Sequence, residues 1–257
     1  MTTPLTLTLI GGPTLLIEVA GLRLLTDPTF DPPGDYPSGS VTLVKTVGPA
    51  LAAERIGPLN AVLLTHDQHA DNLDHAGRTL LPQAKRVLTT PTAEARLEVK
   101  TEGLIPWQTV ELERPDGGKL FVTATPARHG PAGIEPICGE VTGFLLGLEQ
   151  PGDLAWISGD TVWYEGTAEI AKRYEPELIV LFTGSAQTRG KFHLTMNGND
   201  AIDAAAAFPK ARVVAVHNQG WAHFKESQDD VLQAYQALGL ADRLELLEPG
   251  VAKEVTP

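Results

Sequence analysis

The chain has 257 residues, of which 42% are hydrophobic and 20% charged, and 32 acidic residues against 20 Lys and Arg give a net charge of −12. This acidic surplus argues against a nucleic-acid partner, because proteins that neutralise phosphates normally carry a basic surplus. No apolar run reaches the ~18 residues of a membrane-spanning helix, and the segment Met1–Leu5 lacks the basic start of a signal peptide. We therefore expect a cytoplasmic protein with no integral membrane segment.

The first half of the chain is rich in predicted strands. Short strands separated by Gly and Pro turn signals are predicted over Leu5–Ile10, Thr14–Val19 and Leu22–Leu25. The proline-rich segment Asp27–Gly39 predicts an irregular surface loop. A continuous apolar run over Ala61–Thr65 predicts a strand covered on both faces, and helical spacing begins at Asp71.

In the second half, predicted strands alternate with helices. The strands are Lys119–Ala124, Val141–Leu148, Leu154–Ile157, Leu178–Phe182, Arg212–Val216 and, as the last candidate, Leu244–Leu247. The main helices are Thr167–Tyr174, Gly198–Phe208 and Ser227–Leu238. A doubly wound sheet would alternate strand and helix from the start. We therefore predict an α+β fold, a single domain over residues 1–257 in which two sheets are flanked by helices.

The densest polar cluster, residues 65–75, directly follows the apolar strand that ends at Leu64. His66, His69 and Asp71 lie within six residues of one another there. Imidazole and carboxylate groups are ligands that suit Zn²⁺, Mn²⁺ or Fe²⁺. The alternative interpretation is a polar strand-to-helix loop in which Asp71 or Asn72 caps the helix.

Three more apolar strands end in a histidine or an aspartate. His129 follows one strand, Asp160 a second and His217 a third. Each residue alone is equally well explained as a hydrogen-bonded loop residue. Together with the first cluster they predict a His/Asp metal site delivered by four strand ends.

These motifs, in this order, resemble the metallo-β-lactamase superfamily, and more narrowly its branch with L-ascorbate-6-phosphate lactonase and N-acyl-phosphatidylethanolamine-hydrolysing phospholipase D. The likeness begins at Leu9–Glu18 and at the Asp-Pro turn within Leu24–Pro28. It continues through the Leu64–Asp71 cluster, His129, Gly159–Thr161 and His217. The resemblance implies a four-layer αββα sandwich with the metal site along one edge.

The resemblance also implies a ligand set. His69 and Asp71 match the second histidine and the aspartate of the family's His-x-His-x-Asp-His motif. His129 matches the third ligand of the first metal, Asp160 the bridging carboxylate and His217 the last histidine of the second metal.

Two positions depart from the family motif. Its first histidine falls on Asp67 when counted back from Asp71, and on His66 when counted forward from Thr65, so both remain candidate ligands. Asn72 stands where the family has a histidine, and Asp67 and His223 are the nearest substitutes at the second metal.

By resemblance, the function is that of a metal-dependent hydrolase acting on a small-molecule lactone, ester or phosphodiester. One or two divalent ions, zinc or manganese, would hold a hydroxide beneath Asp160. Asp71 would hold a metal and orient this nucleophile. His223 and Tyr164 are candidates to protonate the leaving group or bind substrate, although a packed tyrosine and a surface histidine explain them equally well. The alternative function is a metal-binding but catalytically weak protein that acts through partners, which Asn72 suggests.

Overall fold

The computed structural model describes residues 3–256, which form two seven-stranded sheets, a separate hairpin and six α-helices. The strands are β1 (Leu5–Gly11), β2 (Thr14–Val19), β3 (Leu22–Thr26), β4 (Gly34–Ser38), β5 (Val41–Lys45), β6 (Ala61–Leu63), β7 (Val87–Thr89), β8 (Glu102–Gly103), β9 (Thr109–Glu113), β10 (Lys119–Pro126), β11 (Thr142–Gly147), β12 (Ala155–Ile157), β13 (Leu178–Phe182), β14 (Arg212–Val216), β15 (Leu244–Glu245) and β16 (Ala252–Val255). The helices are α1 (His75–Leu80), α2 (Pro91–Arg96), α3 (Glu135–Cys138), α4 (Glu165–Arg173), α5 (Gly198–Ala207) and α6 (Gln228–Ala237).

Each sheet combines antiparallel and parallel pairing. The first has the order β16-β1-β2-β3-β6-β7-β8 and becomes parallel from β3 onward. The second has the order β15-β14-β13-β12-β11-β10-β9 and is parallel from β12 to β15. Parallel neighbours bring their carboxyl ends to the same edge, which is where the predicted ligands follow their strands.

The main core lies between the two sheets. Side chains that alternate along a strand point to opposite faces, so Leu24 packs into this central core whereas Leu25 packs outward against Leu80 of α1. On the second sheet, Val214 faces the centre, and Val213 faces the layer formed by α4, α5 and α6. The predicted α+β sandwich of four layers, helix, sheet, sheet and helix, is confirmed.

Several local predictions differ from the structure. Residues 34–38 and 41–45 form the β4–β5 hairpin, although the segment Asp27–Gly39 predicts an irregular loop. Strand β4 is half exposed and made of Gly, Pro and polar residues with one Tyr, so its sequence shows no buried-strand pattern, whereas β5 lies beyond the segment predicted as a loop. Helix α1 begins at His75 because Asp74, rather than Asp71 or Asn72, is its N-cap and accepts a hydrogen bond from the Gly77 amide at 2.8 Å. A further strand, β16, follows the predicted last one and pairs with β1.

None of the helices in the described part of the chain has the length and apolar character that a membrane crossing needs.

Candidate metal centre

Four strand-end loops bring the predicted ligands together. His66 follows β6, His129 follows β10, Asp160 follows β12 and His217 follows β14. All four side chains are buried, with relative exposures of 5% or less. Buried imidazoles and carboxylates are costly unless they are paired or bind a metal, so this convergence itself points to a functional centre.

His66, His69 and His129 form a group that we name the histidine group. Nε2 of His66 lies 2.9 Å from Nδ1 of His69, and Nε2 of His129 lies 3.2 Å from the same atom. Two nitrogen ligands on a tetrahedral zinc ion with Zn–N distances of about 2.0–2.1 Å would be separated by roughly 3.3 Å. The carbonyl oxygen of Leu194 accepts a hydrogen bond from Nδ1 of His129 at 2.9 Å, which leaves Nε2 as the lone-pair nitrogen.

Asp71, Asp160 and His217 form the second group, which we name the carboxylate group. Nδ1 of His217 lies 3.0 Å from Oδ1 of Asp160, and Nε2 lies 3.6 Å from Oδ2 of Asp71. The other oxygen of Asp160, Oδ2, lies 3.5 Å from Nε2 of His129 in the histidine group. The Asp160 carboxylate therefore faces both groups, as a bridging ligand would.

His223 lies against the carboxylate group. Its Nε2 is 2.8 Å from Oδ2 of Asp71, and the residue is buried. The contact spans 152 residues of sequence. His223 is thus a buried member of the centre and not the surface histidine of the alternative interpretation.

The two groups differ in their protonation. Burial and the neighbouring His129 lower the pKa of His69 to about 4, so its ring is neutral at pH 7. Burial tends to lower the pKa of His217, but the Asp160 and Asp71 carboxylates outweigh it and raise that pKa to about 10. Burial opposes ionisation of Asp71 as well, and the nearby His223 and His217 rings nevertheless hold its pKa well below the usual range. His69 therefore offers a neutral nitrogen donor and Asp71 an ionised carboxylate, whereas the His217 ring becomes a donor when a metal displaces its proton.

The donor set fits a divalent metal. Within residues 3–256, buried polar atoms without a hydrogen-bond partner gather in this centre, namely Oδ1 of Asp71, Oδ2 of Asp160 and both ring nitrogens of His217. A buried polar atom without a partner costs about 1–3 kcal/mol. A cation among these atoms would satisfy several of them at once, and carboxylate and imidazole donors are suited to Zn²⁺, Mn²⁺ or Fe²⁺.

Asp27 helps to position the centre through Thr65, although the sequence assigns it only to a turn. Its Oδ1 accepts the backbone N–H of Thr65 at 2.7 Å, and its Oδ2 accepts the Thr65 hydroxyl at 2.8 Å. The same hydroxyl lies 3.0 Å from Nδ1 of His66. Burial raises the pKa of Asp27 to about 8. The Asp-Pro pair at the end of β3 is the signal that marks this residue.

Asn72 links Asp27 to Asp160. Its amide nitrogen lies 3.3 Å from Oδ2 of Asp27 and 3.3 Å from Oδ1 of Asp160. The ionised Asp160 carboxylate only accepts hydrogen bonds, which identifies the amide end beside it as the nitrogen. Asn72 thus holds a carboxylate of the centre in place through its amide N–H.

Besides His223, two predicted site residues lie outside both groups. The buried carboxylate of Asp67 pairs with the Arg96 guanidinium, with 3.1 Å between Oδ2 and Nε. His66, and not Asp67, therefore joins the histidine group. Tyr164 is the N-cap residue of α4, and its ring lies 4.3 Å from the Arg128 guanidinium. Tyr164 does not line the cavity beside the ligands, so its placement does not favour the predicted role at the leaving group.

The backbone around His217 is strained. This residue has φ of +56°, a left-handed conformation that is unfavourable for a side chain with a Cβ. Its N–H donates to the Gly12 carbonyl at 2.9 Å, and a Cβ on Gly184 would lie 2.2 Å from the His217 carbonyl oxygen. Strain of this kind persists where the surrounding structure enforces it, and it is common at functional sites.

A cavity of about 30 Å³ opens beside the ligands. His69, Asp71, His129 and His223 form its floor. Residues of the β4–β5 hairpin and of the loop between β13 and α5 form its walls. Both ligand groups are therefore reached through one small cavity.

Comparison with known proteins shows which family this chain belongs to. The model of the β-lactamase superfamily domain matches residues 22–218, which is more than half of the chain. The chain belongs to the metallo-β-lactamase superfamily. UPF0173 protein YddR of Bacillus subtilis is 25% identical over 255 residues, which are 95% of this chain and 97% of that protein. A UPF0173 metal-dependent hydrolase of Pyrobaculum aerophilum is 25% identical over 93% of this chain and 95% of its own length.

Two solved structures share the fold. Isothiocyanate hydrolase from Delia radicum gut bacteria superposes with a TM-score of 0.82 at 24% identity, covering 98% of this chain and all of that one. A protein of Veillonella parvula, described as a possible metal-dependent hydrolase, superposes with a TM-score of 0.83 at 21% identity over the full length of both chains. At these identities the likeness extends to the fold.

Proposed function

We propose that the protein is a metal-dependent hydrolase that acts on a small-molecule lactone, ester or phosphodiester. The observation that carries this proposal is the Asp160 carboxylate, which lies between a group of three imidazoles and a group with a second carboxylate. The names of the curated relatives as metal-dependent hydrolases support it. We also propose, from the sequence resemblance, that the protein is functionally related to the lactonase and phospholipase D branch.

The ligand side chains would divide the work of binding metal. His66, His69 and His129 would hold one ion through nitrogen atoms, and Asp71 and His217 would hold a second beside it, with Asp160 shared. A divalent ion, when bound, supplies Lewis acidity that lowers the pKa of water and stabilises charge on a substrate oxygen. Asn72 and Thr65 would keep Asp160 and His66 oriented through the contacts described above.

His223 is the proposed proton donor to the leaving group. Its Nε2 contacts Oδ2 of Asp71, so the carboxylate orients the ring and favours a proton on that nitrogen. Nδ1 is buried and has no hydrogen-bond partner in the described part of the chain, so it is the nitrogen that would carry the donated proton. The ring also lines the cavity, where a substrate would lie.

The first test is a metal count joined to a substrate panel. Protein purified without chelator is analysed by mass spectrometry, and is then assayed with Zn²⁺ or Mn²⁺ on lactones, phosphodiesters, esters and an isothiocyanate. We expect at least one equivalent of bound metal and turnover of one substrate class. Less than one equivalent, with no turnover on the whole panel, would overturn the proposal and favour the catalytically weak alternative.

A second test addresses His223. The variant His223→Ala should slow an alkyl ester more than a p-nitrophenyl ester by ~100-fold, because only the alkoxide needs protonation to leave. His75→Ala is the matched control, since this histidine is 84% exposed and lies outside both ligand groups. Equal losses on both esters in His223→Ala would contradict the proton-donor role.

A further inference from the structure

The wall of the cavity beside the ligands has an apolar part and a polar part. Its apolar part is formed by Val41 and Leu43 of β5 together with Cys138, Ala186 and Leu194. Val41 and Leu43 are alternate residues of one strand and so present the same face to the cavity. This part of the wall matches a short carbon skeleton.

The polar rim of the cavity carries one arginine. Arg189 lies in the loop between β13 and α5. Among the described residues that line the cavity, it is the one that carries a positive charge at neutral pH in the form of a Lys or Arg side chain. Within residues 3–256, no carboxylate lies within ion-pair distance of its guanidinium, whereas Arg86, Arg96 and Arg212 are each paired with an acid. A cation left without an acidic partner in a chain of net charge −12 is available to an external anion.

The partner that Arg189 does have is weak and replaceable. Its Nη1 donates to the hydroxyl of Ser40 at 2.7 Å, across 149 residues of sequence. Ser40 lies in the turn of the β4–β5 hairpin, and both residues are exposed. A neutral hydroxyl on an exposed arginine forms a weaker bond than a carboxylate or phosphate, which can accept two parallel N–H groups from the guanidinium.

We propose that Arg189 determines substrate specificity by binding an oxyanion, a carboxylate or a phosphate, that the substrate carries beside the bond to be hydrolysed. The substrate is then a small anionic molecule with a short apolar segment. Only its reacting group enters the small cavity and lies on the ligand floor; its carbon segment extends outward past Leu43 and Val41, and its anion replaces the Ser40 hydroxyl on the exposed Arg189. This inference rests on the proposed function, because the ligand floor must hold metal.

The test uses dicarboxylates as probes. Calorimetry on the metal-loaded, full-length protein compares succinate, glutarate and adipate, each with its own monoamide, so that three spacings between the two carboxylates are covered. One carboxylate can bind the metal centre, and only the diacid has a second for Arg189. We expect at least one diacid to bind ~10-fold or more tightly than its monoamide, and Arg189→Gln to reduce that ratio below twofold.

Lys191→Gln is the matched control, because it removes an exposed cation two residues away that does not line the cavity. It should leave the ratio of diacid to monoamide affinity unchanged. Arg189→Lys should keep part of the ratio, since the charge remains and the bidentate geometry is lost.

Three results would overturn the inference. These are a ratio below twofold for every diacid in the unmodified protein, an unchanged ratio in Arg189→Gln, and no binding of any probe to metal-loaded protein. A metal count on each sample separates this failure from that of the proposed function. Full metal content with an unchanged ratio rejects only the role of Arg189, whereas failure to take up metal rejects the proposed function and this inference with it.

Discussion

The histidine group and the carboxylate group lie side by side and are organised in different ways. His66 is oriented by Thr65 and His129 by the Leu194 carbonyl, so the donors of the histidine group are held by neutral partners. Asp71, Asp160 and His217 instead hold one another by opposite charge and leave several buried atoms without a partner in the described structure. The first group is preorganised for a metal, and the second depends on a cation to balance its charge.

The substitution Asp160→Ala should have the largest effect of the changes that test this comparison. Asp160 faces both groups, so its loss should weaken both sites, the carboxylate group most, and should reduce activity by more than the ~100-fold typical of outer ligand partners. Mass spectrometry of bound metal and an assay on the best panel substrate measure the two effects. Two retained equivalents of metal would contradict the bridging role.

The substitution Asn72→Ala should affect the carboxylate group more than the histidine group. It removes the amide N–H that holds Oδ1 of Asp160, the oxygen that faces His217, and we expect ~10- to 100-fold weaker binding of the second metal equivalent with a smaller loss at the first. Calorimetric titration of metal into chelator-treated protein resolves the two equivalents. An equal loss at both sites would show that Asn72 supports the whole centre and not one group.

When metal is removed stepwise with a chelator, the two groups should lose their ions one after the other. The carboxylate group should release its ion at a lower chelator concentration than the preorganised histidine group. An ion present at 100 times its Kd contributes about 2.7 kcal/mol to the free energy of unfolding, so each release should lower the thermal midpoint. Mass spectrometry and thermal unfolding on the same samples test this, and simultaneous loss of both ions would remove the distinction.

The smallest effect is expected for Asp67→Asn. Asp67 pairs with Arg96, whose side chain is 43% exposed, so the free energy of unfolding should fall by only ~1 kcal/mol. Bound metal should stay at the level of the unmodified protein. Urea unfolding and a metal count measure both quantities, and a loss of metal would return Asp67 to the candidate ligands.

The sequence predicted the sandwich and most of the centre because both rest on local patterns. Apolar strands that end in His129, Asp160 or His217 are visible one segment at a time. The role of Asp27 depends on contacts with Thr65 and Asn72, which lie 38 and 45 residues away and meet it only in the folded chain. The choice between His66 and Asp67 likewise required the position of Arg96.

The cavity walls were less predictable for a related reason. Strand β4 has no apolar stripe, and the short face of β5 that carries Val41 and Leu43 is covered only where it packs over the ligand floor. The proline-rich, acidic segment Asp27–Gly39, which contains β4, has the sequence of a loop, and its strand pairing depends on β5 beside it. The link between Ser40 and Arg189 is equally invisible to local patterns.

The hydrogen bond from His217 to the Gly12 carbonyl has a consequence for the order of folding. It joins the turn after β1 to a ligand 205 residues later, and closing so long a loop is slow compared with forming local structure. During synthesis the histidine group has all three of its ligands once residue 129 has emerged, whereas the carboxylate group must wait for residue 217. We therefore expect the carboxylate group to become able to bind its ion only after the segments around Gly12 and His217 have come together.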